Sequence, residues 1–221
     1  MEGPLGALPP VLRSPVIAEN VAVRSRVVLL AGPSGAGKSR LAEQGGLPVV
    51  RLDDFYRDGD DEAMPRSPLG IVDWDDPRSW DGDRAVAALE QLCTTGTADL
   101  PIYDIAADGT VGHRPVTTGG SALIVAEGIF ADQITDALRD RGLLAAAICV
   151  RHHRLVTFAR RFQRDLREHR KPPLTLLRRG LLLLRDDPQV VRRCVAAGCE
   201  PLHPKAARAR IETLVTQATS Q

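Results

Sequence analysis

The run Gly32-Pro33-Ser34-Gly35-Ala36-Gly37-Lys38-Ser39 fits the pattern G-x-x-x-x-G-K-[ST]. Such a run can cradle phosphate. Its glycines let backbone N–H groups point at an anion with no Cβ in the way, and the helix that follows adds its dipole. Gly32, Ser34, Gly35, Ala36, Gly37, Lys38, Ser39 and Arg40 are therefore candidate nucleotide-binding residues. Lys38 would reach the β- and γ-phosphates, and the Ser39 hydroxyl would bind Mg²⁺.

Carboxylates supply the next candidates. Asp53-Asp54 follows the apolar run Pro48–Leu52, and Glu127 follows Ala122–Ala126. A carboxylate at a strand end can hold Mg²⁺ or accept a proton from an attacking hydroxyl. At least one of Asp53 and Asp54 is expected to do catalytic work, the alternative being a helix cap or turn aspartate. Glu127 ends five apolar residues and needs a partner, which a metal-phosphate would supply; the alternative is a bond to nearby backbone.

Arginine density is a further signal. Arg160, Arg164 and Arg167 step by four and three and share a helix face, within a stretch that also carries Arg151, Arg154, Arg161, Arg170 and Lys171. Guanidinium groups over the equatorial oxygens suit phosphoryl transfer. The rival is a solvated basic face, partly neutralised by Asp165 and Glu168. An RNA-binding patch is weaker, because only Phe158 and Phe162 are interleaved, at a spacing that suits packing. On the acceptor side, Asp53–Arg57, Val72–Pro77 and Ile102–Asp104 bring aromatics and carboxylates together. That combination suits a polyol or ribose, although Trp74, Trp80 and Tyr103 could simply fill core.

These groups need a frame. Val27–Ala31 reads as a buried strand, and Arg40–Gln44 as a helix start ended by Gly45-Gly46. Further strands are predicted over Pro48–Leu52, Ala122–Ala126 and Leu144–Val150. A hairpin is predicted from Leu100–Ile105 and Val111–Thr117 about Asp108-Gly109. Helices are predicted over Asp83–Cys93, Asp132–Arg141, Arg154–His169, Leu174–Arg185, Pro188–Ala197 and Lys205–Gln217. Strands alternating with helices imply an α/β fold, a parallel sheet sandwiched by helices. Ligands in such sheets bind beyond the carboxyl ends of the strands, where the glycine loop, Asp53-Asp54 and Glu127 should meet.

A chain of 221 residues accommodates one such domain. We expect a flexible leader over 1–24, poorly ordered or loosely docked, and a single domain over 25–221. Within it, a lid spans about 151–173 and a helical part 174–221. The net charge of +1 gives no global pull toward nucleic acid or membrane. Lys38 is one of only three lysines, in a chain whose other basic residues are arginine. The four cysteines form no C-x-x-C pair, so reduced thiols are the default. No apolar stretch is long enough to span a bilayer. A soluble, cytoplasmic protein is expected, with homo-oligomerisation left open.

Six pieces, in order over roughly residues 27 to 171, resemble the uridine kinase family of P-loop kinases. That branch also holds phosphoribulokinase and one type of pantothenate kinase. The pieces are Gly32–Ser39, Asp53-Asp54-Phe55-Tyr56, Val72–Pro77, Pro101–Asp104, Glu127-Gly128-Ile129 and Arg160–Asp165. The resemblance implies a P-loop kinase fold with a β-hairpin insertion and a helical, arginine-rich lid, using ATP and Mg²⁺. It implies Asp53 as the base that takes the acceptor proton. Asp75 would hold ribose hydroxyls, Tyr56 and Tyr103 would line the acceptor pocket with Asp54 beside them, and Ser39 and Glu127 would serve Mg²⁺. Arg161 and Arg164 would close over the phosphates. Where the uridine kinases carry an aromatic and a His in the hairpin, this chain has Ile105 and Asp108. Its lid ends Glu168-His169-Arg170-Lys171. The reaction type carries over more firmly than the base.

The sequence thus reads as a kinase moving the ATP γ-phosphoryl group to a hydroxyl, with a nucleoside 5′-hydroxyl the favoured acceptor. Pantothenate or a sugar phosphate is the alternative. A rival of another class is a nucleotide sensor that presents residues 151–171 to protein or RNA.

Overall fold

The computed structural model describes residues 24–66, 70, 72–152, 156–157 and 187–220. Its centre is β1 (Arg26–Ala31), buried from Val27 onward. Successive side chains of a strand point to opposite faces. Val27, Leu29 and Ala31 accordingly enter one core layer, and Val28 and Leu30 the other. Beside β1 run β5 (Leu123–Glu127) and β6 (Leu144–Val150). Outside these lie β2 (Val49–Arg51) and β7 (Glu200–Leu202), giving the order β2-β5-β1-β6-β7. All four pairings are parallel. Coverage of both faces explains why β1 and β5 are continuous apolar runs rather than alternating ones.

One face is covered by α1 (Lys38–Gln44) and α5 (Pro204–Thr219), through Leu41, Ala42, Ala207 and Ile211. The other is covered by α2 (Gly82–Thr95), α3 (Thr135–Asp140) and α4, helical over 187–196. Leu89, Leu92, Leu138 and Cys194 reach that layer. Asp81 starts α2 by accepting from the Arg84 N–H, and Gly96, at φ +85°, ends it. A separate antiparallel hairpin follows, β3 (Thr97–Asp104) with β4 (Gly109–Thr117). Ala98 and Leu100 tie it to the α2 core.

Helix α4 is fastened by an ion pair. Arg193 Nε donates to Asp132 Oδ2 at 2.6 Å, and Nη2 donates to Oδ1 at 3.2 Å and to the Ile129 carbonyl at 3.3 Å. The Asp132 side chain is fully buried.

The parallel sheet, its flanking helices and the hairpin agree with the sequence reading. Three details differ. The second strand stops at Arg51, and Asp53 and Asp54 sit in a 3-10 turn, Leu52–Phe55. The segment expected as one helix from Asp132 opens as a 3-10 turn, Ala131–Ile134. β7 is an unpredicted edge strand, three residues long with Pro201 at its middle. Of the predicted helix over 154–169 only 156–157 are described, as helical; the rest of it, the predicted helix over 174–185, most of the arginine-rich lid and most of the leader lie outside the described residues. Among the described residues, no helix is long and apolar enough to cross a membrane.

Candidate active site

Register brings the chemistry together. Glu127, last in β5, stands opposite Leu30 in β1 and Arg51 in β2. The glycine loop begins two residues beyond Leu30, and Asp53 lies two beyond Arg51. Three chain segments therefore leave the sheet side by side at its carboxyl edge. Two glycines permit the crowding. Gly32 has φ +126°, and a Cβ there would lie 2.4 Å from the Val150 carbonyl oxygen. A Cβ on Gly128 would meet the Leu52 Cβ at 2.8 Å and the Asp53 Oδ1 at 3.1 Å. The bare backbone at 128 lets the Asp53 carboxylate lie over the β5 exit, where Oδ1 is 3.4 Å from the Ile129 nitrogen.

Lys38 is 7% exposed and folds back over its own loop. Its Nζ donates to the Gly32 carbonyl at 2.9 Å and the Pro33 carbonyl at 3.1 Å. Burial pulls its pKa below 10.5, opposed by the charges of Glu127 and Asp53. Glu127, also buried, is affected in the opposite sense. Desolvation holds its carboxyl above the usual range and Asp53 reinforces this, while Lys38 and the nearby Ser39 hydroxyl oppose it. A buried carboxylate held beside a hydroxyl and a second carboxylate is a hard-oxygen set that a divalent cation would relieve. Among the described residues no group of three or more His, Cys, Asp or Glu could hold a metal.

Beyond Asp53 the 3-10 turn leads into an aromatic cluster. The Tyr56 ring lies 5.8 Å from Trp74, 5.7 Å from Tyr103 and 6.1 Å from Phe130, centroid to centroid. Trp74 and Tyr103 are 6.1 Å apart. The Tyr56 hydroxyl donates to the Trp74 carbonyl at 3.3 Å. The Tyr103 hydroxyl is buried without a hydrogen-bonding partner among the described residues. Burial, then the charges of Asp108 and Asp58, push the Tyr103 phenol well above 10.

The expected site residues therefore fall into groups. Lys38, Ser39, Glu127 and Asp53 converge, with Arg40 exposed on the first turn of α1. Tyr56 and Tyr103 share one cluster. Asp54 is buried and faces the hairpin, 3.4 Å from Arg114 Nη2. Asp75 is exposed beside Trp74, its N–H bonded to the Asp73 carboxylate at 3.1 Å. Trp80 is core: its Nε1 donates to the Leu52 carbonyl at 2.7 Å and it packs beneath the 3-10 turn. Arg161 and Arg164 lie outside the described residues. A cavity of about 330 Å³ opens beside Tyr56, lined by Arg57, Asp58, Asp60, Asp61, Asp81 and Arg84. Sequence reasoning missed Phe130 and Arg114. The first was signalled only by its place three residues after Glu127; the second is 60 residues from its partner and had no local signal.

The profile of the phosphoribulokinase / uridine kinase family matches residues 27–171. Among curated relatives, inorganic pyrophosphatase TTM2 of Arabidopsis thaliana is 33% identical over 112 residues, spanning 48% of this chain and 15% of that protein. A uridine kinase of Lactobacillus johnsonii is 25% identical over 153 residues, spanning 66% of this chain and 70% of that protein. The chain thus corresponds to a small part of the first and about two thirds of the second. A solved structure from Silicibacter sp. TM1040, proposed as a fructose transport system kinase, gives a TM-score of 0.53 at 19% identity. It covers 81% of this chain and 88% of that one, a likeness of fold.

Proposed function

The chain belongs to the phosphoribulokinase / uridine kinase family, and from that premise we propose that it is an ATP-dependent small-molecule kinase whose acceptor is a nucleoside 5′-hydroxyl. The observation that carries the reading is Asp53. Its carboxylate lies at the β5 exit, 3.4 Å from the Ile129 nitrogen and close enough to shift the charge balance of both Lys38 and Glu127, and the 3-10 turn that carries it leads on to Tyr56. A nucleotide sensor has no use for a base that serves an acceptor.

In this reading the glycine loop and α1 hold the triphosphate of ATP through backbone N–H groups. Lys38 exchanges loop carbonyls for phosphate oxygens and spreads the charge that develops on transfer. Ser39 and Glu127 would hold Mg²⁺, which would supply charge neutralisation to the phosphates. Asp53 orients the acceptor hydroxyl and takes its proton. Tyr56 and Tyr103 flank the acceptor, with Asp75 on its hydroxyls and Asp54 bracing the hairpin through Arg114. Arg161 and Arg164 close over the phosphates from a lid at about 151–173. The kinase domain spans 25–221 and works in the cytoplasm.

Ile105 and Asp108, standing where uridine kinases carry an aromatic and a His, favour a second reading in which the acceptor is another alcohol, such as pantothenate or a sugar phosphate. One screen tests both. The protein is incubated with ATP, Mg²⁺ and a panel of nucleosides, pantothenate and sugar phosphates, and products are followed by mass. The expected result is a monophosphorylated nucleoside. Transfer to another alcohol instead selects the second reading. No transfer to any acceptor overturns both. Pyrophosphate belongs in the same panel, given the match to inorganic pyrophosphatase TTM2.

A further inference from the structure

Besides the Asp54–Arg114 pair and the core contacts of Ala98 and Leu100, the hairpin that carries Tyr103 is held near its tip at two points. Asp58 Oδ1 accepts from the Thr110 N–H at 2.7 Å, across 52 residues of sequence. The Gly59 N–H donates to the Asp108 carbonyl, also at 2.7 Å. Both points fall on one strap. Its N-terminal side is anchored by Arg57, whose N–H donates to the Ser79 carbonyl at 2.9 Å and whose guanidinium lies 3.7 Å from Asp81. Its next turn is closed by the Asp61 N–H on the Asp58 carbonyl at 3.0 Å.

The grip falls at a telling position. Thr110 is the register partner of Tyr103, next to the irregularity between Ile102 and Tyr103. Fixing the Thr110 amide therefore fixes the backbone directly across from Tyr103. The fit is close: a Cβ on Gly109 would lie 3.2 Å from Asp58 Oδ1, and one on Gly59 3.1 Å from the Asp108 Cβ and 3.5 Å from the Trp74 ring. Asp58 itself is exposed and adds nothing to the apolar core.

We propose that Asp58 is a positioning residue for acceptor binding: by holding Thr110 it sets the Tyr103 ring against Tyr56 and Trp74, and so sets affinity for the acceptor without touching the nucleotide. This rests on the kinase reading above. A two-stranded hairpin is marginal alone, and Asp54–Arg114, Ala98 and Leu100 brace strand positions before Tyr103 or beyond Thr110, so the Asp58 latch at Thr110 governs how often the cluster is assembled. Binding is weakened by the fraction of molecules in which it is not.

The test compares Asp58→Ala with Asp58→Asn, whose amide oxygen can still accept from Thr110. Hydrogen exchange on the full chain reads the latch directly: Asp58→Ala should lose protection at Thr110 and Gly59, and Asp58→Asn should keep it. Phosphoryl transfer to uridine, cytidine, adenosine and guanosine reads the consequence. For the nucleoside used, Asp58→Ala should raise acceptor KM about ten-fold, the loss of one charged hydrogen bond. The KM for ATP and acceptor-free ATP hydrolysis should be unchanged, and Asp58→Asn should restore acceptor KM. An Asp58→Ala protein with unchanged acceptor KM overturns the inference and leaves the kinase reading standing. So does an Asp58→Asn protein as impaired as Asp58→Ala. A wild-type protein that phosphorylates none of the four nucleosides overturns the nucleoside reading and this inference with it.

Discussion

Gly128→Ala adds one methyl group where β5 leaves the sheet, and the structure sets how much that costs. The new Cβ would stand 2.8 Å from the Leu52 Cβ and 3.1 Å from Asp53 Oδ1. Carbon atoms pack best at about 3.5 Å, so the two backbones must part by about 0.7 Å. No rotamer change relieves this, because the opposing atom is a Cβ on a fully buried residue. Truncating Leu52 to Ala would leave the clash in place. Gly128 is not among the glycines with positive φ, so alanine suits its backbone and the strain is steric alone. Overpacking of this size costs about 1–3 kcal/mol of stability. The same shift carries Asp53 away from its seat at the strand end. A reacting group misplaced by about 1 Å loses roughly 100-fold in rate, so this displacement should lower kcat about ten- to fifty-fold. The assay pairs kcat and KM with a urea unfolding curve and nucleotide affinity. The expected result is a reduced kcat with nucleotide affinity near wild type. A less stable protein with wild-type kcat would refute the link between the Gly128 gap and the Asp53 carboxylate's work.

Two further predictions follow from the same geometry. Arg193→Ala strips the bidentate partner from the fully buried Asp132 carboxylate and should cost about 2–4 kcal/mol by urea unfolding, with Arg193→Lys recovering only part because it cannot bond both oxygens. Tyr103 should ionise well above 10 in the native protein, burial being the main cause and Asp108 and Asp58 adding to it. A phenol whose pKa is raised by folding contributes stability below pH 10 and loses it as pH rises toward the folded value. Alkaline absorbance should therefore show the Tyr103 phenolate late, against Tyr103→Phe as reference, and wild-type stability should fall more steeply than the variant's above pH 10. A Tyr103 midpoint at 10 would contradict the burial described.

What the sequence made legible was what is local in it. The glycine loop, its strand and its helix are consecutive, so spacing alone placed Lys38 and Ser39. Glu127 was visible as a charge ending a five-residue apolar run, and Asp53 as the end of another. The parallel order made their meeting expected. The pairing of Asp54 with Arg114, 60 residues away, depends on how the hairpin docks and left no trace in spacing. β7 was missed because three residues with a central proline carry no strand pattern; Pro201 is tolerated at a sheet edge, where its missing N–H removes no ladder bond. In sequence, Trp80 fits either core or site, and Tyr56 gains an acceptor role only through the resemblance. Only the fold separates them: the Trp80 indole is spent on the Leu52 carbonyl inside the core, while Tyr56 reaches Trp74 and Tyr103.

The central claim is that Asp53 serves the acceptor and not the nucleotide. Single-turnover phosphoryl transfer by Asp53→Asn, with nucleotide affinity measured on the same preparation, tests it most directly. The account predicts unchanged nucleotide affinity and transfer slowed about 10²–10⁴-fold, the span of a lost general base. Transfer at the wild-type rate, or loss of nucleotide binding in step with loss of transfer, would contradict it.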